Sequence, residues 1–96
     1  MNQNDTYGQP KPLAGITLAY TGTAAVSSAI PTCSCVRILS TTDCFVEISS
    51  TGTLATTASM YVPAFQAEYL YIPPSGFVSA IQVASGGTLY IMPFIS

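Results

Sequence analysis

The side chains that could carry out chemistry are few in this chain. It contains no histidine, and only three of its acidic residues, Asp43, Glu47 and Glu68, lie outside the polar N-terminal segment. Enzymes need a positioned group that transfers protons or an activated nucleophile, and a glycosidase needs two carboxylates that converge on one bond. Asp43 falls in a predicted turn and Glu47 on a predicted outward strand face, so no such pair is indicated. We expect no catalytic residues and predict that the chain is not an enzyme.

The three cysteines form an odd set, Cys33, Cys35 and Cys44. The N-terminus has neither the basic region nor the apolar region of a signal peptide, so free thiols that pack as small hydrophobes are the favoured interpretation. Zinc would need a fourth ligand, and no histidine is present to supply it. A disulfide between Cys33 and Cys35 would close a very tight ring. A disulfide or a metal site stays the less favoured alternative, and no cofactor is expected.

Charged residues are unusually scarce. They make up 6% of the 96 residues, whereas about 25% is usual in globular domains. The net charge of −2 gives no positive field that would attract nucleic acid or anionic membranes. No uninterrupted apolar run approaches the roughly 18–20 residues of a membrane-spanning helix. We therefore expect neither a nucleic-acid partner nor a membrane partner.

Short strand-like segments separated by turn residues run along most of the chain. No segment repeats apolar residues at helical spacing over three turns, and β-branched and aromatic residues dominate. The predicted strands are Ile16–Tyr20, Ala24–Ala29, Cys35–Ser40, Cys44–Ser49, Ser59–Val62, Tyr69–Ile72, Phe77–Ala84 and Thr88–Phe94. About eight short strands indicate an all-β fold, either a small antiparallel β-sandwich or a jelly-roll-like barrel. The polar residues 1–12, which include two prolines, are predicted to form an extended arm before a sandwich domain of residues 13–96.

The stretch RILSTTDCFVEISS, residues 37–50, is predicted to form a β-hairpin. A three-residue loop, 41–43, is favoured because it gives one uniformly apolar face, whereas a two-residue turn would mix polar and apolar side chains on both faces. The predicted cross-strand pairs are Ser40 with Cys44, Ile38 with Val46, Val36 with Ile48 and, on the other face, Arg37 with Glu47. We expect the last of these to be a structural ion pair.

The outward strand faces are more apolar than a solvated sheet requires. The predicted interface residues on these faces are Leu39, Phe45, Tyr61, Tyr69, Tyr71 and Tyr90. An exposed Arg–Glu pair contributes at most ~1 kcal/mol and does not account for such faces. Either loops and the N-terminal arm of the same chain cover them, or neighbouring subunits do. The second explanation is favoured, since large contiguous apolar patches on soluble domains usually mark interfaces.

A set of short motifs suggests a family. The motifs are VR at 36–37, STTDCF at 40–45, Met60 with Val62-Pro63-Ala64, Glu68-Tyr69, the turn Pro73-Pro74-Ser75-Gly76, Ala80-Ile81-Gln82 and Gly87-Thr88-Leu89. Together they resemble small β-sandwich virion proteins of tailed bacteriophages, over about the last two-thirds of the chain. The resemblance implies a virion location and an accessory role, as a capsid cement or decoration protein that bridges major capsid proteins, and it implies no catalytic residues.

Two other functions are open at this point. The chain resembles neck, tail or fibre-attachment components of the virion equally well. A host-glycan-binding module that uses Tyr61, Tyr69 and Tyr71 is a less favoured alternative, because tryptophan is absent. In the favoured interpretation the subunit is a homo-oligomer, with a trimer as the preferred state, and its partner is the major capsid protein.

Overall fold

The structure, a computed structural model, describes residues 11–12, 15–30 and 35–95. Every strand pairing in this part of the chain is antiparallel and no helix occurs in it, so the predicted all-β sandwich is confirmed. The strands are β1 (Lys11–Pro12), β2 (Ile16–Tyr20), β3 (Ala25–Val26), β4 (Cys35–Ser40), β5 (Cys44–Ser49), β6 (Met60–Val62), β7 (Glu68–Tyr71), β8 (Phe77–Gln82) and β9 (Gly87–Ile95). The bounds of β2, β4 and β5 are those predicted, β1 was not predicted as a strand, and the other strands differ at one or both ends.

Two sheets make the sandwich. In sheet I the order is β9–β4–β7, and β1 and β2 both pair with the free side of β9, so that together they act as one edge strand. In sheet II the order is β3–β8–β5–β6. Strands that follow each other in sequence therefore often lie in different sheets, which is how a short chain closes an apolar core without a helix.

The core lies between the two sheets and comes from strict alternation along the strands. In β4, Val36, Ile38 and Ser40 have no exposed surface, while the residues between them are half-buried on the outer side. Tyr20 is 1% exposed, and its hydroxyl donates a hydrogen bond to the Thr42 carbonyl at 2.8 Å. This satisfies the polar end of a ring that is otherwise in the core.

The predicted β4–β5 hairpin is wrong. Strand β4 pairs with β9 and β7 in sheet I, and β5 pairs with β8 and β6 in sheet II. The 41–43 turn carries the chain from one sheet to the other. The inward faces were nevertheless identified correctly, since Ile38 and Val46 both belong to the core cluster. Alternation shows on which face of a strand a side chain lies. The inward face is buried against the opposite sheet whichever strands lie beside it, so alternation does not identify the neighbouring strand.

The predicted Arg37–Glu47 ion pair is wrong for the same reason. The two residues lie on the outer faces of opposite sheets, and packed sheets are about 10 Å apart at their backbones. Arg37 has Tyr69 and Met92 as its cross-strand neighbours, and Glu47 accepts a hydrogen bond from the Ser59 hydroxyl at 2.8 Å.

The end of the predicted arm takes part in sheet I. Lys11 and Pro12 pair with Ile95 and Phe94 of β9. The remainder of the arm, residues 1–10, lies outside the described residues, as does Cys33.

Candidate docking surface

Part of the outer face of sheet II is covered by the chain itself. Ser79 of β8 alternates outward between Val78 and Ala80, yet it has no exposed surface. Its hydroxyl accepts a hydrogen bond from the Ala55 amide at 2.8 Å and donates one to the Ala25 carbonyl at 2.7 Å. The loop that follows β5 therefore lies over the middle of sheet II, and Ala55 within it is 3% exposed. In the middle of sheet II, a loop of the same chain therefore covers the outer face.

An aromatic group lies at one end of the same face. The rings of Phe45 and Tyr61 make an edge-to-face contact with centroids 6.0 Å apart, a favourable arrangement for two aromatic side chains. Phe45 is half-buried and Tyr61 is 51% exposed. The Tyr61 hydroxyl donates a hydrogen bond to Asp43 Oδ2 at 2.9 Å. The Tyr61 side chain is therefore held by contacts of both its ring and its hydroxyl group.

The Asp43 carboxylate holds the segment around Tyr61 and Ala64 through hydrogen bonds. Besides the Tyr61 hydroxyl it accepts the Ala64 amide at 2.8 Å, and these two hydrogen bonds, first that from Ala64 and then that from Tyr61, lower the pKa of the carboxyl group. Phe65, which follows Ala64 in the chain, has φ 59° and a side chain that is 69% exposed. A phenylalanine in the left-handed region is uncommon.

The outer face of sheet I has a different character. We use "the sheet I outer face" for the outward side chains of β4, of β7 and of Leu89–Phe94, the part of β9 that pairs with β4, namely Cys35, Arg37, Leu39, Tyr69, Tyr71, Tyr90, Met92 and Phe94. The strand register places Leu39 beside Tyr90, Arg37 between Tyr69 and Met92, and Cys35 between Tyr71 and Phe94. The side chains therefore form three adjacent rows across the sheet.

The tyrosines of this face are accessible. Tyr69, Tyr71 and Tyr90 are 64%, 71% and 48% exposed, so the described part of the chain does not cover them. The rings of Tyr69 and Phe94 lie 6.2 Å apart across the sheet. Of eight side chains on the face, seven are aromatic, aliphatic or sulfur-containing, and Arg37 alone carries a charge. An apolar surface of this kind is typical of a protein interface.

A depression lies beside Arg37 on the sheet I outer face. Its volume is about 260 Å³, and its lining combines Arg37, Tyr90 and Met92 with residues of β2 and Gly15. We call it the Arg37 notch. It is large compared with the space of a single water molecule, ~30 Å³, and it can take a side chain of a partner.

The six predicted interface residues separate into two groups. Leu39, Tyr69, Tyr71 and Tyr90 belong to the sheet I outer face, whereas Phe45 and Tyr61 lie on sheet II. Tyr61 thus cannot form one stacking platform with Tyr69 and Tyr71, as the glycan-binding alternative required. Met92 and Phe94 belong to the surface although they were not among the predicted interface residues, and their alternation with Leu89 and Ile91 was the signal that could have added them.

The described cysteines are free, with Cys44 buried and Cys35 half-buried. Burial raises the pKa of the Cys44 thiol, which makes it a poor nucleophile at neutral pH. Within residues 11–12, 15–30 and 35–95 no group of three or more acidic, cysteine or histidine side chains is arranged to hold a metal ion.

Comparisons with protein-family models, with curated proteins and with solved structures found no match to this chain. None of the described segments is a helix of the length and apolarity that crossing a bilayer requires.

Proposed function

We propose that this protein is a structural subunit of a tailed-bacteriophage virion, a cement or decoration protein that docks on the capsid through the sheet I outer face. The observation that carries the proposal is the difference between the two sheets. The chain covers the middle of sheet II with its own loop, through Ser79 and Ala55. It leaves Tyr69, Tyr71 and Tyr90 in solvent on sheet I.

The chemistry of this face suits a permanent contact more than a transient one. Permanent interfaces are larger and more apolar than transient ones, and tyrosine is among the residues that contribute most to binding. The tyrosines here project from strands of a rigid sheet, so little conformational entropy is lost when a partner covers them. A subunit that spans two capsid proteins would oppose outward pressure on the shell through the contacts it buries.

The resemblance of the short motifs to phage virion proteins supplies the location in this proposal, and the surface supplies the mode of action. The two can fail separately. If the surface binds a partner that is not a virion protein, docking through the sheet I outer face is supported and the virion location is refuted.

The experiment compares virions assembled with and without the subunit. We expect particles without it to lose DNA at lower temperature or after milder osmotic shock, and added wild-type protein to restore the resistance. The Tyr69→Ala protein should restore it poorly, because the side chain lies in the middle row of the face. The matched control is Leu54→Ala, which removes an exposed apolar side chain from the loop over sheet II and should restore resistance like the wild type. Equal behaviour of the two variants would remove the sheet I outer face from the proposal.

Copy number per virion separates a cement protein from a neck or tail component. Quantitative mass spectrometry of purified virions should find this chain at a copy number comparable with that of the major capsid protein. A copy number comparable with that of a single portal or neck ring would move the proposal to the alternative location. The predicted trimer is measured separately, as the mass of the purified protein by light scattering.

A further inference from the structure

Among the residues that the structure describes, Arg37 has no acidic neighbour on the surface to which it belongs. Its cross-strand neighbours are Tyr69 and Met92, and the next outward residues along β4 are Cys35 and Leu39. The guanidinium group stays charged at any pH that the protein tolerates.

The carboxylates of the described chain are engaged elsewhere. Asp43 accepts hydrogen bonds from Ala64 and Tyr61 near the end of sheet II, and Glu47 accepts one from Ser59 on the outer side of sheet II. Glu68 lies on sheet I, but it alternates to the same side as the half-buried Leu70 and away from the exposed tyrosines. None of the three lies on the sheet I outer face.

Docking would therefore bury the charge of Arg37, and the partner would have to compensate for it. Covering the face removes water from Arg37, and an ion taken out of water without a counter-ion is strongly destabilising. A two-fold contact between this face and the same face of a second copy would bring two Arg37 side chains into one apolar interface without a carboxylate. Two-fold self-association through this face is disfavoured on that ground.

We propose that the Arg37 notch receives an aspartate or glutamate side chain of a different virion protein, which pairs with the guanidinium group. This inference rests on the proposed function. The notch provides about 260 Å³ beside the charge, and its walls of Tyr90 and Met92 exclude water from the pair once a partner is seated. A planar guanidinium group binds a carboxylate through two parallel hydrogen bonds, so the pair would also fix the orientation of the subunit on its partner.

The test uses virions assembled with the Arg37→Lys protein. Lysine keeps the positive charge and supplies an amine, which a water-soluble carbodiimide couples to a carboxylate in contact with it. The amine attacks the activated carboxyl carbon, an amide forms, and the reagent leaves as its urea. Mass spectrometry then locates the amide. Wild-type virions are the matched control, since the arginine does not couple and only the native amines give background.

A cross-link from position 37 to an acidic residue of another virion protein is the expected result. A cross-link to Asp5, to Glu68 or to any other carboxylate of this chain would overturn the proposal, because the arm or a second copy would then be the occupant. If position 37 forms no cross-link but is protected from an amine-acetylating reagent in the virion, the proposed carboxylate of the partner is refuted. Docking through the sheet I outer face is still supported by this result. If position 37 is freely acetylated in the virion, both proposals fail.

Binding of the free protein to virions that lack it provides a second measurement. Arg37→Met keeps an apolar side chain of similar length and removes the charge, and it should bind about thirty-fold or more weakly than wild type, as when one member of a buried charge pair is truncated. Binding of Arg37→Met at wild-type strength would overturn the proposal.

Discussion

The cover over sheet II depends on one buried hydroxyl, and Ser79→Ala removes it. The Ser79 hydroxyl accepts the Ala55 amide at 2.8 Å and donates to the Ala25 carbonyl at 2.7 Å, so it joins the covering loop to strands β8 and β3. The side chain has no exposed surface. Alanine fits the same space but leaves the buried Ala55 amide and the partly buried Ala25 carbonyl without this partner.

The magnitude follows from these two groups. The buried Ala55 amide that loses its partner costs about 1–3 kcal/mol, and the Ala25 carbonyl, which is only partly buried, adds about 1 kcal/mol. We therefore expect Ser79→Ala to lower the free energy of unfolding by about 2–4 kcal/mol. For a domain of this size 1 kcal/mol corresponds to about 4–8 °C in Tm, so a decrease of at least about 8 °C is expected.

Two assays check the prediction. Thermal or urea unfolding measures the loss of stability, with Ser85→Ala as the control, because Ser85 is an exposed serine in a turn. Amide hydrogen exchange measures the local effect, and the Ala55 amide should be protected in the wild type and exchange much faster in the variant. The reasoning is refuted if Ser79→Ala and Ser85→Ala unfold alike, or if the Ala55 amide exchanges in the wild type as fast as an exposed loop.

Three further predictions concern the turns and the core. Gly87→Ala should destabilise the fold by about 1–3 kcal/mol in urea unfolding, because the added Cβ would lie 2.5–2.8 Å from three side-chain hydroxyl oxygens, whereas Gly22→Ala, with its nearest contact at 3.5 Å, should change little. The hydrogen bonds from Ala64 and Tyr61 lower the pKa of the Asp43 carboxyl group from its usual value, so its contribution to stability is present above the pKa of the unfolded chain and is lost as the pH falls through the lower folded value. By NMR, Tyr61→Phe should raise this pKa, and an unchanged pKa would contradict the hydrogen bond. The thiol of Cys44, which is buried with a raised pKa, should resist alkylation in the native protein at pH 7 and react after unfolding, and rapid native alkylation would contradict its placement in the core.

The faces of the strands could be predicted from the sequence, and their partners could not. Alternation in β4 and β5 correctly assigned Ile38 and Val46 to the core. The same alternation is compatible with a hairpin and with a turn that crosses between sheets, because both bury the same side chains. The choice depends on contacts distant in sequence, such as β4 with β9, and a local pattern contains no information about these.

The cover over sheet II was equally hard to predict. Residues of the loop after β5 are mostly small and polar and look like an ordinary surface loop in the sequence. The one signal was Ser79, a polar side chain at an outward position within the apolar run FVSAIQ. A serine on a solvated face needs no partner from the chain, so the sequence alone did not distinguish a covered face from an exposed one.

The scarcity of charge acquires a more specific meaning once the two sheets are separated. Considered as a composition, it suggested that the whole domain needs shielding by other protein. In the structure the chain shields part of one sheet by itself, and the sheet-crossing turn puts Arg37 and Glu47 on opposite outer faces. Glu47 finds a hydroxyl within the chain, whereas Arg37 lies on the sheet with the exposed tyrosines. We therefore propose that a partner docks on that face and supplies the carboxylate that Arg37 lacks among the described residues.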